Sequence, residues 1–112
     1  MDKLRRGDVV VVALSGDYGK PRPALVVQAD LFNEVHASIT VVPVSSTIID
    51  APLFRLTVTP SLGNGLRARS QLMIDKVTTV PRARLGPAIG RVEDDVLIQV
   101  SRALALWVGI AA

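Results

Sequence analysis

Apolar and polar residues alternate along this chain in two different periods, and the change comes once. Before residue 92 the apolar residues fall in short runs broken by Gly, Pro and Ser. "DVVVVAL" (8–14) is continuous and β-branched, which predicts a strand buried on both faces. "ALVVQ" (24–28), "SITVVPV" (38–44) and "LFRLTVT" (53–59) predict three more, the last less regular than strict alternation. "ARSQLMI" and "DKVTTV" predict a fifth and sixth, joined or bulged near Asp75. Pro43 lacks a ladder donor and belongs near an edge or a strand end. The connections read as a loop (15–23), one helical turn capped by Asp30 (29–36), a polar loop (45–52) and a turn (60–66). In that turn Gly63-Asn64-Gly65 supplies positive φ. "PRARLGPAIGRV" (81–92) is punctuated by Pro and Gly and closes on a short strand.

After Val92 the period lengthens. Leu97, Val100, Leu104 and Trp107 recur at three- and four-residue steps, which predicts a helix with one apolar face and a buried Trp107. Glu93, Asp94 and Asp95 crowd its first turn, where acidic groups suit the helix dipole, and Gly109 is its stop. About six short strands and a terminal helix imply a small, strongly bent sheet or partly open barrel with the helix over one end.

Composition narrows this. The 112 residues fit a single domain, 1–112. The chain is 49% hydrophobic and 21% charged, so it is globular, and with 4% aromatics its core is Val, Leu, Ile and Ala. So small a domain has little room for a deep private pocket; an active site would be a shallow groove, shared with a second copy. There is no cysteine, hence no disulfide and no thiolate metal site. The first residues lack a full signal-peptide core, and the longest apolar run, 103–112, is about half a membrane span. A soluble cytoplasmic protein is the expectation.

The net charge is +3, and ten of the thirteen basic residues are arginine. The planar guanidinium fork matches phosphate oxygens two at a time, which leans toward a phosphate-bearing partner. A genome rich in GC gives the same bias, and composition alone leaves both open. The single histidine, His36, has no partner at metal-ligating spacing, no phosphate-cradling glycine motif occurs, and no metal or cofactor is expected. Two segments carry candidate chemistry. In Lys20-Pro21-Arg22-Pro23 each proline fixes its own φ and extends the residue before it. Arg22 is narrowed in conformation and loses little entropy on meeting a transition state; taken alone, the segment reads first as a rigid loop with its arginine in water. In "PVSSTII" (43–49) three hydroxyls follow a buried strand. They suit a phosphate or an attacking group, or simply the backbone of a turn.

Taken in order, "RRGDVVVVAL" (5–14), "GKPRPALVVQAD" (19–30), "ITVVPVSST" (39–47), "SQLMIDKVTTVPRARL" (70–85) and "IGRVEDDVLIQVSRAL" (89–104) resemble the MazF/PemK toxins over nearly the whole chain. The resemblance implies a small SH3-like barrel, mainly β with a C-terminal helix, forming a homodimer. It implies a metal-independent endoribonuclease that cuts single-stranded mRNA to 2′,3′-cyclic phosphate and 5′-hydroxyl ends and is silenced by a cognate antitoxin. Arg22 and Ser45 stand at the catalytic positions. Asp17, Lys20, Ser46, Thr47, Gln71, Asp75 and Lys76 stand where RNA contacts are expected. Met73 occupies a position where some members carry arginine, and the loop before Arg22 is short. CcdB-type gyrase poisons share the fold and end in an aromatic-Gly-Ile motif, which "LWVGIAA" matches loosely. A gyrase poison and a non-catalytic RNA-binding barrel are the alternatives.

Overall fold

The computed structural model of the chain describes residues 3–13 and 20–111. Seven strands form one antiparallel sheet among these residues: β1 (Asp8–Ala13), β2 (Pro21–Val26), β3 (Ser38–Ser45), β4 (Arg55–Val58), β5 (Ser70–Met73), β6 (Thr78–Pro81) and β7 (Leu85–Arg91). The order is β4-β5-β3-β2-β1-β7, with β6 also on β3, so the sheet is bent but unclosed. The short strand expected at the end of the Pro/Gly-punctuated segment is β7, and it starts as early as Leu85. β7 pairs only β1, and an edge tolerates Pro87, while two register shifts opposite Val9–Val12 absorb the irregularity.

Strand β3 is the pivot. It pairs β6 from Ser38 to Val41 and β5 at Val44 and Ser45, both on the side away from β2. Between Val41↔Thr78 and Val44↔Leu72, β3 advances three residues while its partner advances six. The 3-10 turn Ile74–Lys76 takes up the difference. Thr40 accepts from β2 at Val27 N–H, so by alternation the nitrogen of Pro43 points the other way, into the gap between β6 and β5. A missing donor costs nothing there, which is how proline comes to sit inside a buried strand.

Both faces of the central strands are covered, as the continuous Val run requires. Val9, Leu25, Val42, Val44, Leu72 and Ile74 pack with Val100 and Ala103 of helix α2 (Asp94–Trp107). Val10, Val12, Ala24, Val26, Ile39, Val41 and Val80 form a second core on the other face. Each fully buried Val, Leu or Ile adds roughly 1.5–3 kcal/mol of transfer free energy.

Helix α2 ends as the sequence implies. Gly109 has φ +82°, its N–H donates to Leu106 O (3.2 Å), and Ile110 N–H donates to Ala105 O (2.8 Å), a Schellman closure. Trp107 departs from expectation. It is 47% exposed and rests on Phe54, ring centroids 5.7 Å apart, in the last turn of α2, beyond Val100 and Ala103, the buried residues of the helix. Asp30 departs too. It is the first residue of helix α1 (Asp30–Asn33), Ala29 takes the cap position, and Asp30 Oδ1 accepts Arg6 N–H at 2.6 Å. No helix among the described residues is long and apolar enough to cross a membrane.

Candidate functional site

The site begins where two strands stop pairing. β2 and β3 pair from Val26↔Val41 to Ala24↔Pro43 and no further. Val27 donates to Thr40 O on β3, while Val26 accepts from Gly7 on the opposite side. Alternation therefore points the backbone nitrogens of Leu25, Pro23 and Pro21 toward β3. Pro23 and Pro21 have no hydrogen to offer, so the ladder cannot continue past Ala24. β1 still holds the same residues, with Pro23↔Val11, Arg22↔Val12 and Pro21↔Ala13. The start of β2 is thus fixed on one side and unzipped on the other.

A groove of 640 Å³ fills the unzipped side. Val11, Pro23, Val44, Leu66 and Ile89 make it apolar, and Arg22, Ser46, Arg67 and Ser70 add polar groups. None of its described lining residues is acidic. The 60–69 connection that carries Arg67 is locked by Asn64, which is fully buried. Its Oδ1 accepts Ser61 N–H and Leu66 N–H, both at 3.0 Å, and its Nδ2 donates to Thr59 O at 3.0 Å. Gly65 (φ +70°) lies against β7 so closely that a Cβ would overlap the Ile89 carbonyl. The groove wall is therefore built into the backbone.

The structure brings some of the expected residues together and keeps others apart. Arg22 and Ser46 line the same groove. Ser45 is the last residue of β3 and pairs with Gln71; its Oγ accepts Thr47 N–H at 3.1 Å and shapes the turn that presents Ser46. A hydroxyl that accepts one bond keeps its own proton to donate. Lys20, Thr47 and Lys76 are exposed and lie outside the groove lining. Asp17 lies outside the described residues.

Gln71 and Asp75 both have their side chains committed within the protein. Gln71 is 2% exposed, donates from Nε2 to Ile49 O (2.8 Å) and accepts Ile49 N–H at Oε1 (3.1 Å). Asp75 takes a two-point ion pair from Arg55, Nε–Oδ1 2.7 Å and Nη2–Oδ2 3.1 Å, with both side chains largely buried. The hydrogen bonds from Arg55 hold the Asp75 carboxyl below the ordinary carboxylate value, and the pairing raises Arg55 in turn. Arg67 and Ser70, which line the groove, and the neighbouring Arg69 were not singled out from the sequence. Their signal was the "LRARS" run (66–70), two arginines directly before a strand and after a glycine turn.

Comparison with known proteins agrees in family and fold. Residues 5–108 match the family described as PemK-like, MazF-like toxin of type II toxin-antitoxin system. The chain is 47% identical over 109 residues to a probable endoribonuclease MazF of Mycolicibacterium smegmatis, covering 96% of this chain and 99% of that protein. Its fold is similar to MazF from Deinococcus radiodurans, with TM-score 0.81, 24% identity and coverage of 97% and 99%. It is similar also to a mycobacterial endoribonuclease in complex with its cognate antitoxin, with TM-score 0.79, 22% identity and coverage of 100% and 99%.

Proposed function

The chain belongs to the PemK-like, MazF-like toxins of type II toxin–antitoxin systems, and from that premise we propose that it is an endoribonuclease cutting single-stranded RNA at Arg22. The observation that carries this reading is the groove itself. Two prolines unzip β2 from β3, and the arginine between them stands beside a hydroxyl turn over an apolar floor.

The reaction is transesterification. The ribose 2′-oxygen gives up its proton and attacks the adjacent phosphorus, the bond to the 5′-oxygen breaks, that oxygen takes up a proton, and the products are a 2′,3′-cyclic phosphate and a 5′-hydroxyl. DNA has no such nucleophile. Arg22 stabilises the dianionic phosphorane, where a two-point guanidinium contact gains strength as charge develops. Ser45 and Ser46 supply hydroxyl donors to a phosphate oxygen or the 2′-hydroxyl. Arginine does not deprotonate in proteins, so Arg22 is not the base that takes the 2′ proton. The apolar floor excludes water and accommodates a base. This chain works in the cytoplasm as a homodimer, and a cognate antitoxin with an acidic segment covers the basic groove.

The test is purified protein on a long RNA, read by primer extension. Discrete stops at one short sequence, absent with Arg22→Ala, are expected. Intact RNA at stoichiometric protein overturns the reading.

A further inference from the structure

The ten arginines divide by what they already hold. Arg6 ties Val27 O to Ser101 Oγ, Arg55 binds Asp75, Arg82 binds the carbonyls of Asn33 and His36, and Arg91 binds Arg6 O and Asp8. These four are parts of the fold. Arg22 stands in the groove. Among the described residues, the guanidinium groups of Arg5, Arg67, Arg69, Arg84 and Arg102 make no hydrogen bond or ion pair. An uncommitted guanidinium is ready to take a phosphate without first breaking a contact.

Two of these five flank Ala68 on one short segment and border different grooves. Arg67 lines the Arg22 groove. Arg69 lines a second groove of 440 Å³, formed by the 48–52 loop with Arg55, Thr57 and Gln71. The two grooves lie on opposite faces of β5, since Ser70 borders the first and Gln71 the second. In the turn after β3, Ser46 borders the first groove and Ile48 the second. Segment 67–69 is therefore the rim between the grooves.

The second groove is preformed. Gln71 grips both backbone groups of Ile49, which fixes a loop whose Ile48 and Ile49 side chains are each 41% exposed. Arg55 is occupied by Asp75, so among the described lining residues Arg69 is the cation that a ligand can engage, and Asp50 on the loop is the carboxylate that a phosphate must keep clear of. A phosphate-binding cation beside exposed aliphatic carbon is the chemistry of a nucleotide subsite.

We propose, on the nuclease reading above, that the RNA strand crosses this rim. The linkage to be cut lies at Arg22, Arg67 and Arg69 hold phosphates on the two sides of the rim, and one base packs on Ile48 and Ile49. Arg67 and Arg69 are then positioning residues that set how many nucleotides are gripped. Gln71 positions the second groove from within.

The experiment uses the full chain and an RNA oligonucleotide bearing the mapped cleavage sequence, with a 2′-deoxy sugar at the cut linkage so that it binds uncut. Affinity is measured by fluorescence anisotropy across a salt series for Arg67→Ala, Arg69→Ala, Arg69→Lys and Arg84→Ala. Arg84 is exposed and borders neither groove, so its substitution controls for one lost charge. Arg69→Ala should weaken binding by about five- to tenfold and lower the log–log salt slope by about 0.7, the single-strand value per phosphate. Arg84→Ala should stay within about twofold of wild type, and Arg69→Lys should recover most of the slope. Trimming the oligonucleotide from the end that reaches the second groove should abolish the difference between wild type and Arg69→Ala. If Arg69→Ala binds like Arg84→Ala while wild type cleaves RNA through Arg22, this inference fails and the nuclease reading stands. If wild type cleaves no RNA, the nuclease reading fails first.

Discussion

Arg22 is an exposed side chain on a strand whose backbone is held by β1, so the strand does not depend on it for its place in the sheet. Arg22→Ala should abolish cleavage while the protein still folds, as circular dichroism and cooperative unfolding would show. Arg22→Lys should recover little, because a point charge cannot copy the guanidinium fork. Ser45→Ala removes both the Thr47 contact and a donor, and a loss on the order of 10²-fold is expected, as for one removed transition-state donor. Single-turnover rates check this, and wild-type cleavage by Ser45→Ala with loss in Ser46→Ala would move the donor role to Ser46. Asp75 acts on stability instead. Its carboxyl is held down by Arg55, so the folded state favours the ionised form. That stabilisation is complete above the ordinary carboxylate value of 3.8 and is lost as pH falls through the lowered folded value. Asp75→Asn should therefore cost on the order of 2 kcal/mol at neutral pH, with the two proteins converging in acid. Denaturant unfolding at several pH values reads this directly.

At the scale of elements, the prolines of β2 do more than stiffen a loop. Because their nitrogens face β3, each is a missing rung, and the groove is the space that the absent rungs leave. Pro23→Ala restores a donor on that side, lets the ladder lengthen and narrows the groove. Cleavage should fall by on the order of tenfold, short of the Arg22→Ala loss, since small displacements of a positioned group are expensive. Helix α2 offers the contrasting test. Its last turn stands away from the groove, with Trp107 half-exposed on Phe54 and Ile110 83% exposed. Deleting residues 109–112 removes the Schellman closure and costs some stability, yet leaves Arg22 and Ser46 in place. Growth arrest on expression should persist in the truncated protein and vanish with Arg22→Ala. Arrest that needs the tail but not Arg22, with intact cellular RNA, would identify a gyrase poison instead.

At the scale of the whole molecule, one sheet carries a core on each face, and the Arg22 groove opens at the seam where β2 and β3 stop pairing. A groove open on one side suits a polymer that passes across it. Cleavage through the ribose 2′-hydroxyl should leave 5′ ends that need a kinase before ligation and should be indifferent to excess chelator. Ends that ligate directly, or activity abolished by chelator, would demand a different mechanism.

Sequence by itself determined the elements and the chemistry on offer. β-branched runs, the Pro and Gly breaks and the change of period after Val92 specify strands, turns and a helix through local sterics and burial, which need no tertiary context. Pro21, Arg22 and Pro23 were conspicuous for the same local reason. The exposure of Trp107 was not legible, since periodicity tells which face of a helix is apolar but not where the sheet beneath it ends. Nor could the chain alone tell Arg55, which clamps Asp75, from Arg69, which makes no hydrogen bond or ion pair among the described residues. Likewise Gln71 reads as a surface amide until the fold brings Ile49 against it across 22 residues of chain. Whether a polar side chain is spent on the fold or left for a ligand is decided by contacts distant in sequence, and only the folded sheet supplies them.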